Sequence, residues 1–292
     1  MLKQNILKFS ALALVFSILG ISSCNKEEED RLTIQDTADI TEEALTDAYF
    51  QDLDDIAGVA IETPTETQYN SGRTSSYVTI PDHRFICEGI IVTVESDPAS
   101  TQELPKGVLT IDFGSSGCPD LKGNVRKGKL IFTYQGKRFI PGSTVVTTTE
   151  DYFINDVKLE GTRTLTNVQN STADAPRFNV VLANGRATFP NELSITRQSD
   201  ITWQWNREDN PLHDNLRIED TSTASGTTRG GRDYSVMLLE DLVYKRHCGI
   251  AVSGVKKYTI DASKEITIDF GDGTCDREFT VTVNGVTRNI SL

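Results

Sequence analysis

The sequence predicts a mainly β protein of antiparallel strands in consecutive hairpins, with an internal pseudo-repeat, preceded by one short acidic amphipathic helix. Three observations support this fold class. From about Tyr77 onward, apolar residues recur at every second position, which is the period of a half-buried strand. Two-residue turns that favour positive φ, such as Asn284-Gly285, separate several of these segments. The alternation of strands and helices that a parallel sheet requires does not occur in the sequence.

The helix is expected between Thr41 and Ile56. Thr41 is a suitable N-cap residue, and Glu42 and Glu43 follow in the first turn, where the helix dipole favours anions. Gly58 is expected to end the helix. The stripe that we expect to dock on the β-domain consists of apolar residues at three- and four-residue steps: Ala44, Leu45, Ala48, Tyr49, Leu53 and Ile56. A helix that binds a partner protein is the alternative.

Short turns predict several hairpins in the β-region. Asn284-Gly285 is the clearest, because pairing Val283 with Val286 aligns the apolar residues of the two flanking strands. Arg229-Gly-Gly-Arg232 is interpreted as a hairpin tip. Two-residue hairpin turns are also predicted at Gln135-Gly136, Asn155-Asp156 and Asn184-Gly185.

The N-terminus is typical of an exported protein. Residues 9–21 form an apolar segment behind Lys3 and Lys8, and this segment is shorter than the roughly 20 residues that cross a bilayer. Ile21-Ser22-Ser23-Cys24 closes the segment and resembles the bacterial lipobox, at which signal peptidase II cuts before an acylated cysteine. The resemblance implies that residues 1–23 are a lipoprotein signal peptide and that Cys24 is the lipid attachment site. An ordinary signal peptide that leaves Cys24 as a spare thiol is the alternative.

An acidic segment follows Cys24, and residues 24–57 are interpreted as an acidic tether together with the amphipathic helix. Twelve acidic residues stand here against Lys26 and Arg31. The run of residues 25–30 resembles the surface-export signal of Bacteroidota lipoproteins, and Asp36-Thr37-Ala38 fits a short O-glycosylation pattern. A solvated acidic linker is the alternative to both, and for the three-residue pattern it is the preferred interpretation.

Residues 58–292 are predicted to form one antiparallel β-domain. The expected localisation is the outer membrane, with the domain at the cell surface. The periplasmic face of the outer membrane is the alternative. The formal net charge of −13 argues against nucleic-acid binding, which needs clustered Lys and Arg. Three histidines and the absence of a CxxC pair give little support to a zinc site, so neither a metal nor a cofactor is expected.

Four cysteines remain after Cys24, and an even number in an exported chain indicates disulfides, with three connectivities open. An internal repeat narrows the choice. Residues 109–118 and 266–275 share Thr-Ile-Asp-Phe-Gly and a final cysteine, and each copy has another cysteine upstream, followed by an alternating apolar segment. The interpretation is a duplicated strand pair with local bridges, Cys87–Cys118 and Cys248–Cys275. Asp112 and Asp269, at equivalent positions, are interpreted as turn residues that accept backbone N–H groups.

The C-terminal copy also carries a family resemblance. Asp269-Phe-Gly-Asp-Gly-Thr-Cys-Asp276, followed by a Val-Asn-Gly-Val-Thr hairpin, resembles the C-terminus of a large group of uncharacterised Bacteroidota lipoproteins. Residues 128–134 and 157–167 resemble the middle strands of the same group. The resemblance covers most of the mature chain and implies its boundaries, but it implies no activity.

Two residue groups suggest ligand sites. Asp269, Asp272 and Asp276 could together bind Ca²⁺, which prefers six to eight oxygen ligands, although Asx hydrogen bonds within a turn are the preferred interpretation. Trp203 and Trp205 share one strand face. If exposed, they would form a stacking platform for sugar rings, whereas packing in the core is the preferred interpretation.

These observations leave three functional hypotheses. The first is a non-enzymatic, lipid-anchored envelope or surface protein, attached to the membrane through Cys24, whose β-domain binds a glycan or an envelope protein or serves structurally. The second is a glycan-binding module of a surface uptake system. The third is a hydrolase, but no nucleophile accompanies His83, His213 or His247 in the sequence. The Asp-Phe-Gly tripeptides lack the other kinase motifs, so a kinase is excluded.

Overall fold

The computed structural model describes residues 32–71, 75–77, 79–80, 82–87, 89–210, 213–245, 248, 250–276 and 278–291. Within these residues the protein is mainly β, as predicted, with one long α-helix, a short 3₁₀ helix and seventeen strands. The predicted signal peptide (residues 1–23), the predicted lipid attachment site Cys24 and the segment up to Arg31 lie outside the described residues.

The elements follow one another in this order: α1 Ile34–Ser71, β1 Ser75–Tyr77, the 3₁₀ helix His83–Phe85, β2 Ile91–Ser96, β3 Lys106–Asp112, β4 Cys118–Pro119, β5 Val125–Gln135, β6 Thr144–Ile154, β7 Val157–Asn167, β8 Arg177–Thr188, β9 Ser194–Asn206, β10 Asn215–Ile218, β11 Thr223–Thr227, β12 Asp233–Leu238, β13 Leu242–Lys245, β14 Ala251–Ile260, β15 Lys264–Asp272, β16 Glu278–Val283 and β17 Val286–Ser291.

The chain folds into two compact units. The first unit contains the residues up to Ala48 and those from Ser199 onward, and the second unit contains Tyr49–Gln198. Helix α1 therefore contributes residues to both units.

Helix α1 is longer at both ends than predicted. It begins at Ile34 rather than Thr41, because Thr33 and Asp36 form a reciprocal cap: the Thr33 N–H donates to Asp36 Oδ2 at 2.9 Å, and the Asp36 N–H donates to Thr33 Oγ1 at 3.1 Å. The predicted end at Gly58 is wrong. Gly58 lies buried inside the helix, where a Cβ would stand 2.4 Å from the Arg138 guanidinium carbon, so this glycine makes room for an arginine instead of ending the helix.

The second unit contains antiparallel strands that pair mostly with their neighbours in sequence, β2 with β3, β3 with β5, and β5 through β8 in order. Alternate residues of each strand point to one apolar core, as the period of two predicted. Helix α1 covers this core with Phe50, Leu53, Ile56, Ala57 and Ala60. The strands contribute a buried set that includes Val94, Leu109, Ile111, Leu130, Phe132, Tyr152, Ile154 and Leu159.

The first unit is built around strand β14. Strands β12 and β13 both pair with its one edge, with Val236 opposite Tyr258 and Tyr244 opposite Ala251, while β15 pairs with its other edge. Strands β15, β16 and β17 then follow as consecutive hairpins. On the far side of β12 and β13 lie β11 and β10, and β10 pairs in turn with β9.

Several predicted hairpins are present in the structure. Asn284-Gly285 joins β16 to β17 in the predicted register, with Val283 opposite Val286 and Phe279 opposite Ile290. Asn155-Asp156 joins β6 to β7, and both residues have positive φ. Arg229-Gly-Gly-Arg232 lies between β11 and β12, as expected of a hairpin tip.

Two predicted hairpin turns are wrong. Asn184-Gly185 lies inside β8, where Asn184 has a φ of 52° and the register with β7 shifts between Glu160 and Thr162, so the left-handed residue forms a bulge. Strand β5 ends at Gln135 but the next strand begins only at Thr144, so Gln135-Gly136 does not close a two-residue hairpin.

Each copy of the repeat forms a strand pair in its own unit. The segment behind Cys87 forms β2, which pairs with β3, and the segment behind Cys248 forms β14, which pairs with β15. The predicted bridges are both present. Cys87 is bonded to Cys118 in the second unit, and Cys248 is bonded to Cys275 in the first. The two upstream cysteines, Cys87 and Cys248, precede β2 and β14 rather than lying within them.

Gly128 provides a sharp test of the β5–β6 register. Its φ is 76°, and a Cβ there would stand 1.9 Å from the Asp151 carbonyl oxygen, whereas Gly123 has a φ of 85° with open space around it. Each alanine would incur the left-handed penalty of about 1 to 2 kcal/mol, but only Gly128→Ala adds a backbone collision. In urea denaturation, Gly128→Ala should lower the free energy of unfolding by at least about 3 kcal/mol, and Gly123→Ala by about half that. Equal losses would contradict the close approach of Gly128 to the Asp151 carbonyl oxygen.

Candidate functional site

The acidic residues of α1 meet basic residues of the strands in each unit. In the first unit this set, here called the first-unit cluster, joins Asp36, Asp39, Glu42 and Glu43 of the helix to Arg229, Arg232, Lys256, Tyr258 and Lys264. Asp36 and Asp39 precede the predicted helix and belong to the part of residues 24–57 interpreted as a tether, whereas Glu42 and Glu43 were expected in the helix. Within α1 they are partners in a folded interface and not a solvated linker.

Asp36 is the most enclosed acid of the first-unit cluster, with 1% of its side chain exposed. Its Oδ1 accepts from Arg232 Nη1 at 2.9 Å, and its Oδ2 accepts from Lys264 and from Thr33. Burial alone would raise the pKa of Asp36, but the hydrogen bonds from Lys264, Thr33 and Arg232 outweigh it and lower the pKa from 3.8 to about 2. Ionised Asp36 therefore contributes stability above about pH 4, which is lost as the pH falls towards 2.

Asp36-Thr37-Ala38 lies in the first turns of the helix. The Thr37 hydroxyl donates to the Thr33 carbonyl oxygen at 3.1 Å, and the Asp36 carboxylate is engaged by basic residues. The O-glycosylation pattern therefore falls on a packed helical segment, which does not favour modification of Thr37.

Arg232 holds a second helical acid. Its guanidinium donates to Asp39 Oδ2 through Nε at 2.8 Å and through Nη2, while the Gln35 amide donates to Asp39 Oδ1 at 2.8 Å. The turn between β11 and β12 places both of its arginines towards the helix, because the Arg232 N–H donates back to Thr228 Oγ1 at 3.2 Å. Arg229 then reaches Glu42. The sequence indicated a hairpin tip here but did not reveal that it binds α1.

Glu43 continues the first-unit cluster into the sheet. Its Oε2 accepts from the buried Tyr258 hydroxyl at 2.9 Å and lies 3.7 Å from Lys256 Nζ. Burial raises the pKa of the Tyr244 hydroxyl, and the nearby carboxylates of Asp47 and Glu43 raise it further. The carboxylates of α1 therefore lie next to side chains of strands β13 and β14 in this unit.

The second unit has its own set, here called the second-unit cluster, around Arg126. The side chain of Arg126 is 1% exposed, and its guanidinium bonds Asp52 of α1 and Asp120, each at 2.7 Å. Arg84 bonds Asp82 at 2.9 Å and approaches Asp52 at 3.6 Å. Burial tends to raise the pKa of Asp120, but hydrogen bonds from Arg126 and Asn124 bring it down to about 2.

A further pair in the second unit fixes the following turn of the helix. Arg163 of β7 donates to both oxygens of Asp54, each at 2.7 Å, in the two-pronged geometry that suits a guanidinium and a carboxylate. Beside it, burial raises the pKa of Asp55 to about 7, in spite of the opposing charge of Arg84.

The duplicated aspartates lie in equivalent turns. Asp112 Oδ1 accepts from the Gly114 N–H at 2.8 Å, and Asp269 Oδ1 accepts from the Gly271 N–H at 2.9 Å, as the turn interpretation predicted. Asp272 and Asp276 accept in the same way from residues two positions onward, Thr274 and Glu278. In the part of the chain that the structure describes, no group of three or more His, Cys, Asp or Glu side chains is arranged to hold a metal ion.

Trp203 and Trp205 are half-buried. They lie opposite Ile218 and Leu216 of β10, which lie opposite Leu242 and Tyr244 of β13, and directly opposed residues in an antiparallel sheet share a face. Both tryptophans thus share a sheet face with buried Leu242, while each is itself half-buried. The Trp205 indole N–H donates to buried Asp214 at 3.2 Å, and the Arg207 guanidinium covers its ring at 4.4 Å.

Of the three histidines, His213 is the one with a described side chain. His213 is exposed, and its backbone N–H donates to the Asn210 carbonyl oxygen at 2.8 Å. His83 begins the 3₁₀ helix, and His247 lies outside the described residues, as does Cys24. Among the described helices, none is long and apolar enough to cross a membrane.

Comparison with known proteins provides no relative from which a role could be transferred. No protein-family model, no curated protein and no solved structure matches the chain.

Arg232 should be the most sensitive residue of the first-unit cluster. Arg232→Leu leaves Asp36 and Asp39, whose side chains are 1% and 2% exposed, without their common cation, so it should lower the free energy of unfolding by about 3 kcal/mol. The matched control is Arg217→Leu, which breaks the more exposed pair with Asp241 and should have an effect of at most about 1 kcal/mol. Chemical denaturation at neutral pH measures both. Losses of the same size would contradict the structural role of the cluster.

Proposed function

We propose that the protein is a lipoprotein of the outer membrane, held by acyl chains on Cys24, with its β-domain exposed at the cell surface in a binding or structural role that is not enzymatic. The observation that carries this proposal is Ile21-Ser22-Ser23-Cys24 at the end of the apolar segment. Acyl chains contribute about 0.8 kcal/mol per buried methylene group, so several chains on one cysteine make a stable anchor.

The disulfides support export. One bridge closes within each unit, Cys87–Cys118 in the second and Cys248–Cys275 in the first, so each unit has its own covalent closure. Structural disulfides of this kind persist in oxidising compartments such as the periplasm and the cell surface and are rare in the cytosol. Both bridges are local in sequence, which suits a domain that oxidises soon after translocation.

The helix supports a short anchor. Nine residues, 25–33, separate Cys24 from the first residue of α1, and the first turn of that helix is fixed by Thr33, Arg232 and Lys264. A pull on the lipidated cysteine therefore acts on a capped and ion-paired element of the fold. In this proposal the acidic segment has two roles. Residues 27–30 separate the domain from the anchor, and the acidic residues of α1 stabilise the domain through ion pairs.

The tryptophan pair does not favour the glycan-binding alternative. A sugar platform needs an open aromatic face beside polar side chains, whereas Arg207 covers Trp205 and the indole N–H is already bonded to Asp214. In the sequence no nucleophile accompanies the three histidines, so the hydrolase alternative gains no support from them. The partner of the domain is left unassigned in this proposal, as either a glycan or another envelope protein.

Cys24→Ala tests the anchor. In cells labelled with radioactive palmitate, the wild-type protein should be labelled and Cys24→Ala should carry no label, because the thiol that receives the lipid is gone. The matched control is Ser23→Ala, which keeps a small residue at the position before the cysteine and should be labelled normally. Label that persists in Cys24→Ala would refute the anchor, and biotinylation of intact cells would distinguish the cell surface from the periplasmic face.

A further inference from the structure

The first unit has one end at which the N-terminus of α1 meets three turns of the sheet. This anchor-side end consists of Thr33–Asp36, Thr228–Arg232, Asp261–Ser263 and Asn284–Gly285. The three turns are adjacent because Tyr234 lies opposite Ile260, Ile260 opposite Lys264, and Ile266 opposite Val283. The Asp261 N–H donates to the Asp233 carbonyl oxygen at 2.9 Å, which ties two of the turns together.

The helix start is fixed to this end by ion pairs. Asp36 bonds Arg232, the last residue of the first turn, and Lys264, which follows the second. A Cβ on Gly230 would stand 3.6 Å from the Gln35 amide nitrogen, so the first turn lies directly beside the start of α1. The point at which the chain leaves for Cys24 is therefore fixed on the anchor-side end of the first unit.

The length of chain between Cys24 and this point is short. Nine Cα–Cα steps lead from Cys24 to Thr33, and even a fully extended chain covers no more than about 30 Å in that many steps. Strand β14 runs from Ile260 at the anchor-side end to Ala251 at the opposite end, which is also about 30 Å at the rise of a strand. The tether is therefore no longer than the unit it holds.

We infer that the anchor-side end of the first unit rests at the lipid headgroup surface of the membrane that carries the Cys24 acyl chains. This inference rests on the proposed function, since it requires the lipid on Cys24. Bringing the opposite end to the lipid would force the tether to run almost fully extended alongside the unit, at a cost in conformational entropy. With the anchor-side end at the surface, the nine Cα–Cα steps between Cys24 and Thr33 suffice without that extension.

The side chains at this end indicate that the tether, and not electrostatic attraction to lipid headgroups, holds it at the membrane. Its basic side chains, Arg229, Arg232 and Lys264, are engaged by Glu42, Asp36 and Asp39, so they do not form a free cationic patch for anionic lipids. The residues that remain exposed are small or polar in the turns, and the side chain of Ile34 is 91% exposed beside the tether. Raising the salt concentration should therefore leave the contact unchanged.

Fluorescence quenching in vesicles tests the inference on the full lipidated protein. A fluorophore is attached to Ser263→Cys at the anchor-side end or to Asp209→Cys beyond the opposite end of the sheet, both at exposed positions. The vesicles contain phosphatidylcholine with a nitroxide on the headgroup. Quenching should be at least twofold stronger at position 263 than at position 209, and it should be the same at low and high salt. Equal quenching, stronger quenching at position 209, or loss of the difference at high salt would overturn the inference.

A longer tether provides the matched control. Inserting about 20 Gly and Ser residues between Arg31 and Leu32 should reduce quenching at position 263 towards that at position 209, because a flexible linker of this length relaxes the limit on distance. Unchanged quenching would overturn the tether as the cause. Vesicle flotation separates the two proposals: protein that floats but is quenched equally overturns the orientation alone, whereas protein that does not float overturns the anchor and the orientation with it.

Discussion

Burial of the helical carboxylates is the constraint on which the rest of the structure depends. A carboxylate removed from water is costly unless a cation and hydrogen bonds replace its hydration. Asp36, Asp52 and Asp54 each meet this requirement through an arginine, namely Arg232, Arg126 and Arg163. These arginines lie far away in sequence, so the helix fits each unit only when the strands place the right cation opposite each acid.

Within each unit the apolar contacts and the ion pairs have different roles in docking the helix. In the second unit, Phe50, Leu53 and Ile56 bury the apolar stripe of α1, and this contact supplies the main driving force for docking. An apolar stripe tolerates sliding along the helix axis, whereas the two-pronged bond between Asp54 and Arg163 does not. The charged pairs therefore select one position from the several that apolar contact alone would permit. In the first unit, Arg232 and Lys264 act in the same way on Asp36.

Sequence reasoning succeeded where the information is local. The Asn284-Gly285 register follows from turn chemistry and two short strands, and the disulfide pairing follows from the repeat, which assigns one upstream cysteine to each copy. It failed where a distant partner decides. Asn184 has the positive φ expected of a hairpin, but Gly161 of the neighbouring strand makes the site a bulge. Gly58 was predicted to end the helix, but it lies within it because the Arg138 guanidinium occupies the space that a side chain at this position would need. The ion pairs of α1 were missed because Asp36 and Arg232 are 196 residues apart in sequence.

A double-mutant cycle between Asp54 and Arg163 tests the central claim most directly. The side chains are 12% and 3% exposed, and two hydrogen bonds join them, so the pair offers the cleanest measure of how strongly α1 is held by charge. Free energies of unfolding are measured for the wild type, Asp54→Ala, Arg163→Ala and the double variant. The coupling free energy should be about 2 kcal/mol, because each single variant leaves the other charge buried and unpaired. A coupling below about 0.5 kcal/mol would contradict the central claim, since the two residues would then contribute independently.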